Sequence, residues 1–115
     1  PEIDLPGHSS GWFPLAATGE VVFCAEKGDE AAVDELPTQL YDDPKGVTVK
    51  TLRAYLTELA GLFEDEVFHI GGDETLGVGP CTVQSTVSLE RQLFDHVRNA
   101  LGKTPASWEE ACFGT

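Results

Sequence analysis

The period of the apolar residues changes along this chain, and each change marks an element. Residues 1–8, PEIDLPGH, alternate polar Glu2 and Asp4 with apolar Ile3 and Leu5. That period of two predicts a short strand, ended by Pro6-Gly7. From about Ser9 to Gly46 no period is sustained and Gly, Pro, Asp and Glu are frequent, with a brief helix predicted around Gly28–Glu35. Compact domains rarely hold so long a connection unless it borders a binding site. Val49, Leu52, Leu56, Leu59 and Phe63 then recur at spacings of three and four, one face of an amphipathic helix from about Thr48 to Phe63, with Thr48 placed as its N-cap. VFHIGG, residues 67–72, reads as a short apolar strand ending in two glycines. A second helix carries Leu89, Leu93, Val97 and Leu101 four apart with Phe94 beside them, and Gly102 stands where a helix C′ glycine belongs. Thr104–Trp108 reads as a third strand, with Pro105 near its start, where a missing donor is tolerated.

The order is strand, long loop and helix, strand, helix, strand. Such alternation gives parallel strands with crossover helices outside them, in a doubly wound sheet or in part of a (β/α)8 barrel. Periodicity does not choose between the two. In both, ligands bind at the C-terminal edge of the strands. Asp4 and His8, then Asp73 and Glu74, then Trp108 to Glu110 all fall at or just past those ends.

Length and charge narrow the classes further. The 115 residues suffice for one small domain but not for most enzyme folds with a deep pocket, and a start at Pro1 reads as excised from something larger. A net charge of -13 repels phosphate backbones and anionic lipid, which argues against nucleic-acid and membrane-surface partners. No apolar run approaches the length of a membrane span. Cys24, Cys81 and Cys112 are three, so at least one has no partner within the chain. Buried free thiols and a single disulfide both fit, and no CxxC or Cys-His spacing suggests zinc.

Gly71-Gly72-Asp73-Glu74 is the sharpest chemical signal. Adjacent carboxylates on a strand point to opposite faces, so both reach one substrate only if the backbone is irregular, and paired glycines allow that. Two acids forced together also split their ionisation, leaving one protonated as an acid. Alone, the tetrapeptide fits better an exposed acidic turn leading into a loop, the commonest fate of such a sequence. His8, His69, Asp73 and Glu74 are also a conceivable ion-binding set, but no HExxH or comparable fixed spacing supports it, and the expectation is no metal and no cofactor.

Three segments in order, PEIDLPGHSSGW, FHIGGDET and SWEEACF, together resemble the catalytic domain of glycoside hydrolase family 20, the β-N-acetylhexosaminidases. YDDPKGVTVKTLRAYLTELAGLF also resembles that family's helix before its catalytic strand, and residues 13–40 are the least similar stretch. The resemblance implies a partial (β/α)8 TIM barrel, with this chain holding the third, fourth and fifth strands as an internal piece of one catalytic domain. A whole barrel needs about 250 residues.

The implied reaction is hydrolysis of terminal β-linked N-acetylglucosamine or N-acetylgalactosamine from oligosaccharides or glycoconjugates, with retention and with the substrate supplying its own nucleophile. Glu74 is then the general acid and base, and Asp73 orients the 2-acetamido group. Asp4 and His8 join a supporting network, and Trp108 walls the sugar pocket. Trp12 is read as packing, His69 as either an interior histidine or a network member, and Glu109 and Glu110 as the start of the next loop or helix. Members of the family are often secreted, periplasmic or lysosomal. The rival from another class is a non-catalytic sugar-binding or structural piece, and the isolated chain is expected to be inactive.

Overall fold

The computed structural model describes residues 1–24, 39–73, 75 and 80–108. The helix expected at Gly28–Glu35 lies outside them, as do Glu74, Glu109, Glu110 and Cys112. A 3-10 turn, Ser10–Trp12, leads into α1, Phe13–Ala17. Then come α2, Val47–Ala60, and β1, Val67–His69. Helix α3, Val83–Asp95, continues into a π turn, His96–Ala100, before β2, Thr104–Ala106.

Helix α2 forms where the three-and-four spacing placed it, and Val49, Leu52, Leu56 and Ala60 are its buried stripe. It ends at Ala60 rather than Phe63, and Leu62 and Phe63 are exposed. Its start also differs from the expectation. Gly46 occupies the N-cap position, and the Asp43 carboxylate accepts the Val47 and Thr48 amides at 3.1 and 2.9 Å. Burial alone would raise the Asp43 pKa, but these bonds and the Thr48 hydroxyl outweigh it and hold the carboxyl below its ordinary value. Thr48 is inside the first turn, fully buried, and its Oγ1 accepts the Val22 amide at 2.9 Å.

In α3 the Thr82 hydroxyl caps the helix by accepting the Ser85 amide at 3.0 Å. Leu89, Leu93 and Val97 are fully buried along its inner face. The imidazole Nε2 of His96 meets Thr57 Oγ1 at 2.8 Å and joins the end of α3 to α2. Left-handed Gly102, at φ +65°, follows the last turn as expected.

β1 pairs with β2 in parallel, Val67 opposite Thr104 and His69 opposite Ala106. On its other side β1 meets the first segment. The Ile3 amide donates to His69 O at 3.0 Å and the Leu5 amide to Ile70 O at 2.8 Å. Three parallel segments therefore lie in the order 1–5, β1, β2, as the alternation of elements requires. The first is reduced to a single bridge, Glu2 with His69. β1 is shorter than VFHIGG because Gly71 and Gly72, at φ +88° and +85°, leave the extended region.

Alternation along β1 sorts its faces. Phe68 and Ile70 are fully buried against Leu5, Leu52, Leu56, Leu89, Leu93 and Val97. Val67 and His69 face the other way, and Val67 is half-exposed. One face is thus sealed by helices, and the other carries Val67 and His69.

The stretch 9–46 is less irregular than its sequence suggests, since it holds the turn and α1. Leu40 returns to the first segment, its amide donating to Pro6 O at 2.8 Å. Cys24 and Cys81 are both buried and form a disulfide, which settles the choice left open by three cysteines. Trp12 packs edge-on against Tyr55 with ring centres 4.9 Å apart, the packing role expected of it.

Candidate active site

Asp73 reaches its position through the two glycines. At φ +88° Gly71 turns the chain off β1 and brings it against the first segment. A Cβ there would stand 2.5 Å from Asp4 Oδ1, 2.6 Å from Asp4 Cα and 2.7 Å from Ile3 O. Only hydrogen fits. The close approach lets the Gly72 amide donate to Asp4 Oδ1 at 3.2 Å.

Three of the expected site residues meet at this crossing. Asp4 and Asp73 are in hydrogen-bond contact, and His8 Nε2 lies 3.7 Å from Asp73 Oδ2. Burial raises the Asp4 pKa from 3.8 to about 6; the hydrogen bond and charge of Asp73 push the same way, against the pull of the Gly72 amide and His8. At mildly acidic pH Asp4 keeps its proton and can donate it to the Asp73 carboxylate. Asp73 Oδ1 is buried and has no hydrogen-bond partner among the described residues.

His8 follows the Pro6-Gly7 turn at φ +50°, and its side chain is half-exposed. The turn is tied by Ser9, which the sequence reading passed over. Its hydroxyl donates to Gly7 O at 2.9 Å, and it is 3% exposed. Its one visible signal was its place in PGHSS. Asp4 and His8 also border a cavity of about 210 Å³ whose lining includes Trp12 and Tyr55.

Trp108 approaches from β2. Its amide donates to Gly71 O at 2.8 Å, and its indole stands edge-on to the His69 ring, centres 4.9 Å apart and half-exposed. The backbone of Gly71 is therefore where the first segment, β1 and the end of β2 converge. Glu74, the expected acid, lies outside the described residues.

One ligand atom each from Asp4, His8 and Asp73 lies within 4.8 Å of the others, a spacing that suits a cation as well as a proton. His69 is not in that cluster; its Nδ1 is engaged by the Gly71 amide.

The sequence profile described as Glycosyl hydrolase family 20, catalytic domain, matches residues 1–96. A "Beta-hexosaminidase A" of Caenorhabditis elegans is 35% identical over 64% of this chain and 12% of its own length. A protein of the same name from Caenorhabditis briggsae is 28% identical over 96% of this chain and 23% of its own length. The "Beta-N-acetylhexosaminidase" of Cellulomonas fimi is 32% identical over 96% of this chain and 21% of its own length. The chain thus spans less than a quarter of the length of these relatives. No solved structure matches it at a significant level. Because the match runs through the segments that bring Asp4, His8 and Asp73 together and takes in most of the sequence, the chain belongs to the catalytic domain of glycosyl hydrolase family 20.

Proposed function

We propose that the complete protein hydrolyses terminal non-reducing β-linked N-acetylhexosamine residues by a retaining, substrate-assisted mechanism, and that this chain contributes the third, fourth and fifth strands of its (β/α)8 barrel. The observation that supports this most is the state of Asp73. One carboxylate oxygen faces His8, Asp4 engages the same carboxylate, and Oδ1 is left buried with no partner among the described residues. A buried acceptor without a donor calls for an explanation. The Asp73 side chain as a whole is 28% exposed, and the N–H of a 2-acetamido group is a donor that arrives with the substrate and departs with it.

Glu74 gives its proton to the glycosidic oxygen while the acetamido carbonyl oxygen attacks the anomeric carbon, and the bond to the aglycone breaks. Positive charge develops on the acetamido nitrogen and carbon, where the Asp73 carboxylate stabilises it through the N–H bond. Glu74, now a carboxylate, takes a proton from water. The resulting hydroxide equivalent opens the oxazolinium-type ring at the anomeric carbon, and two inversions give retention. Asp4 and His8 flank the Asp73 carboxylate and hold it in place, and Trp108 offers an aromatic face to the sugar. The protein needs no nucleophile on the opposite face, which is why two adjacent acids suffice. The isolated 115-residue chain is inactive in this reading, since strands that close the pocket are not in it.

The test is kinetic. The complete enzyme should cleave 4-nitrophenyl β-N-acetylglucosaminide far faster than the plain β-glucoside. Asp73→Asn should cost roughly 10²–10³-fold in kcat on the acetamido substrate, the range for loss of one preorganised electrostatic contact. Glu74→Gln should hurt unactivated oligosaccharides much more than aryl glycosides with good leaving groups. Equal rates on both sugars, or activity abolished by a chelator, would refute the mechanism.

A further inference from the structure

His69 sits where the described sheet converges, yet it has no place in the reaction above. Its backbone is paired on both sides, with Pro1 and Ile3 of the first segment and with Ala106 of β2. Its ring lies on the face opposite Phe68 and Ile70, away from the helices, so it does not serve the apolar core. Its side chain is 21% exposed, too little for an ordinary surface histidine.

Both close contacts of the ring lead to the site. Nδ1 accepts the Gly71 amide at 3.0 Å. To accept, that nitrogen must be unprotonated, which places the proton of the neutral ring on Nε2. The Glu2 carboxylate stands 4.0 Å from the same nitrogen, outside hydrogen-bond range, so the amide is the partner that fixes the ring. The ring then meets the Trp108 indole edge-on, centres 4.9 Å apart and planes at 64°. Trp108 closes the circuit, its amide donating to Gly71 O at 2.8 Å. Gly71 is thus held at its N–H by the His69 ring and at its carbonyl by Trp108.

We propose that His69 is a positioning residue that sets two parts of the site with one imidazole: the left-handed turn that delivers Asp73, and the indole that walls the sugar. This rests on the roles given to Asp73 and Trp108 under Proposed function. Misplacing a catalytic group by about 1 Å can cost on the order of 10²-fold, so a lost turn contact should be visible in rate.

Two substitutions separate the couplings. His69→Phe keeps a ring for Trp108 and removes the acceptor for Gly71. His69→Asn places an amide oxygen near the position of Nδ1 and removes the ring. In the complete enzyme, on 4-nitrophenyl β-N-acetylglucosaminide, His69→Phe should lower kcat about 10–100-fold with KM little changed. His69→Asn should hold kcat within a few-fold, raise KM several-fold, and relax discrimination against the bulkier N-butanoyl analogue, since the wall is loosened.

Wild-type kinetics in both variants would overturn the proposal. So would losses that are equal in the two variants and track a loss of helical circular dichroism, which would assign the ring to folding alone. Absence of any acetamido preference in the wild type is a different failure. It sinks the functional reading itself and the His69 role with it.

Discussion

Replacing Gly71 by alanine tests the central contact of the site, and its cost can be worked from the geometry. An L-residue at φ +88° carries left-handed strain of about 1–2 kcal/mol. The new Cβ would also stand 2.6 Å from Asp4 Cα and 2.7 Å from Ile3 O, where ordinary contact begins at 3.4 Å. Both obstacles are backbone, so no side chain can swing aside. The first segment must recede by about 0.8 Å, the shortfall at Asp4 Cα. Such a shift strains the Ile3-to-His69 and Leu5-to-Ile70 bonds, at about 1 kcal/mol each.

The total is about 3–4 kcal/mol, summing strain and lost hydrogen bonds. Gly102→Ala supplies the control: it too has positive φ, at +65°, but nothing lies within 4 Å of its Cβ. Its cost should be strain alone, about 1–2 kcal/mol. Chemical denaturation of the complete protein followed by circular dichroism reads the difference, expected near 2 kcal/mol. In activity, Gly71→Ala should lose about 10²-fold in kcat/KM because Asp73 is displaced from Asp4, while Gly102→Ala should be close to wild type. Equal stabilities together with kcat/KM within about threefold of wild type would refute the claim that this close approach shapes the site.

Other expectations follow from groups the fold buries. Cys24→Ser should lower the unfolding free energy by about 4 kcal/mol in the chain-entropy model for cysteines 57 residues apart; identical denaturation curves with and without reductant would contradict it. Glu90 is 2% exposed, and burial raises its pKa from 4.5 to about 7. Because the folded value is the higher one, the stability it confers is complete below about pH 4.5 and is lost as pH rises through about 7. Glu90→Gln should remove that decline, of about 3 kcal/mol, and a wild type equally stable at both ends of the window would exclude the shift. For Asp4, with its pKa raised to about 6, ionisation above that pH sets two carboxylates against each other. Asp4→Asn, which cannot ionise, should extend activity toward alkaline pH, and an unmoved alkaline limb would count against the shared proton.

The helices were legible because amphipathic stripes are local: Leu52 and Leu56, or Leu89 and Leu93, declare a face within a few residues. Their ends were less so. Thr48 has the chemistry of a cap, but the cap came from Asp43, whose carboxylate reaches the first amides across the turn at Gly46. Strand order followed from the alternation of elements, while strand length did not. VFHIGG lost its last residues to two positive-φ glycines, which hydropathy does not register. The disulfide could not be read at all, because three cysteines allow three pairings and only the approach of Cys24 to Cys81 selects one.

The site divides along the same line. The irregular strand end before Asp73 was visible in GGDE, because paired glycines beside acids mark such an end. What it touches was not, since Asp4 is 68 positions from Gly72 and only parallel pairing of the first segment with β1 joins them. The same pairing gives His69 its meaning: in sequence it is one polar residue in an apolar strand, and in space it is the residue flanked on both sides. Local chemistry therefore names the groups in this domain, and the sheet decides what each one touches. Asp4 shows this most directly, because its raised pKa comes from burial and from Asp73, neither of which exists until β1 is in place.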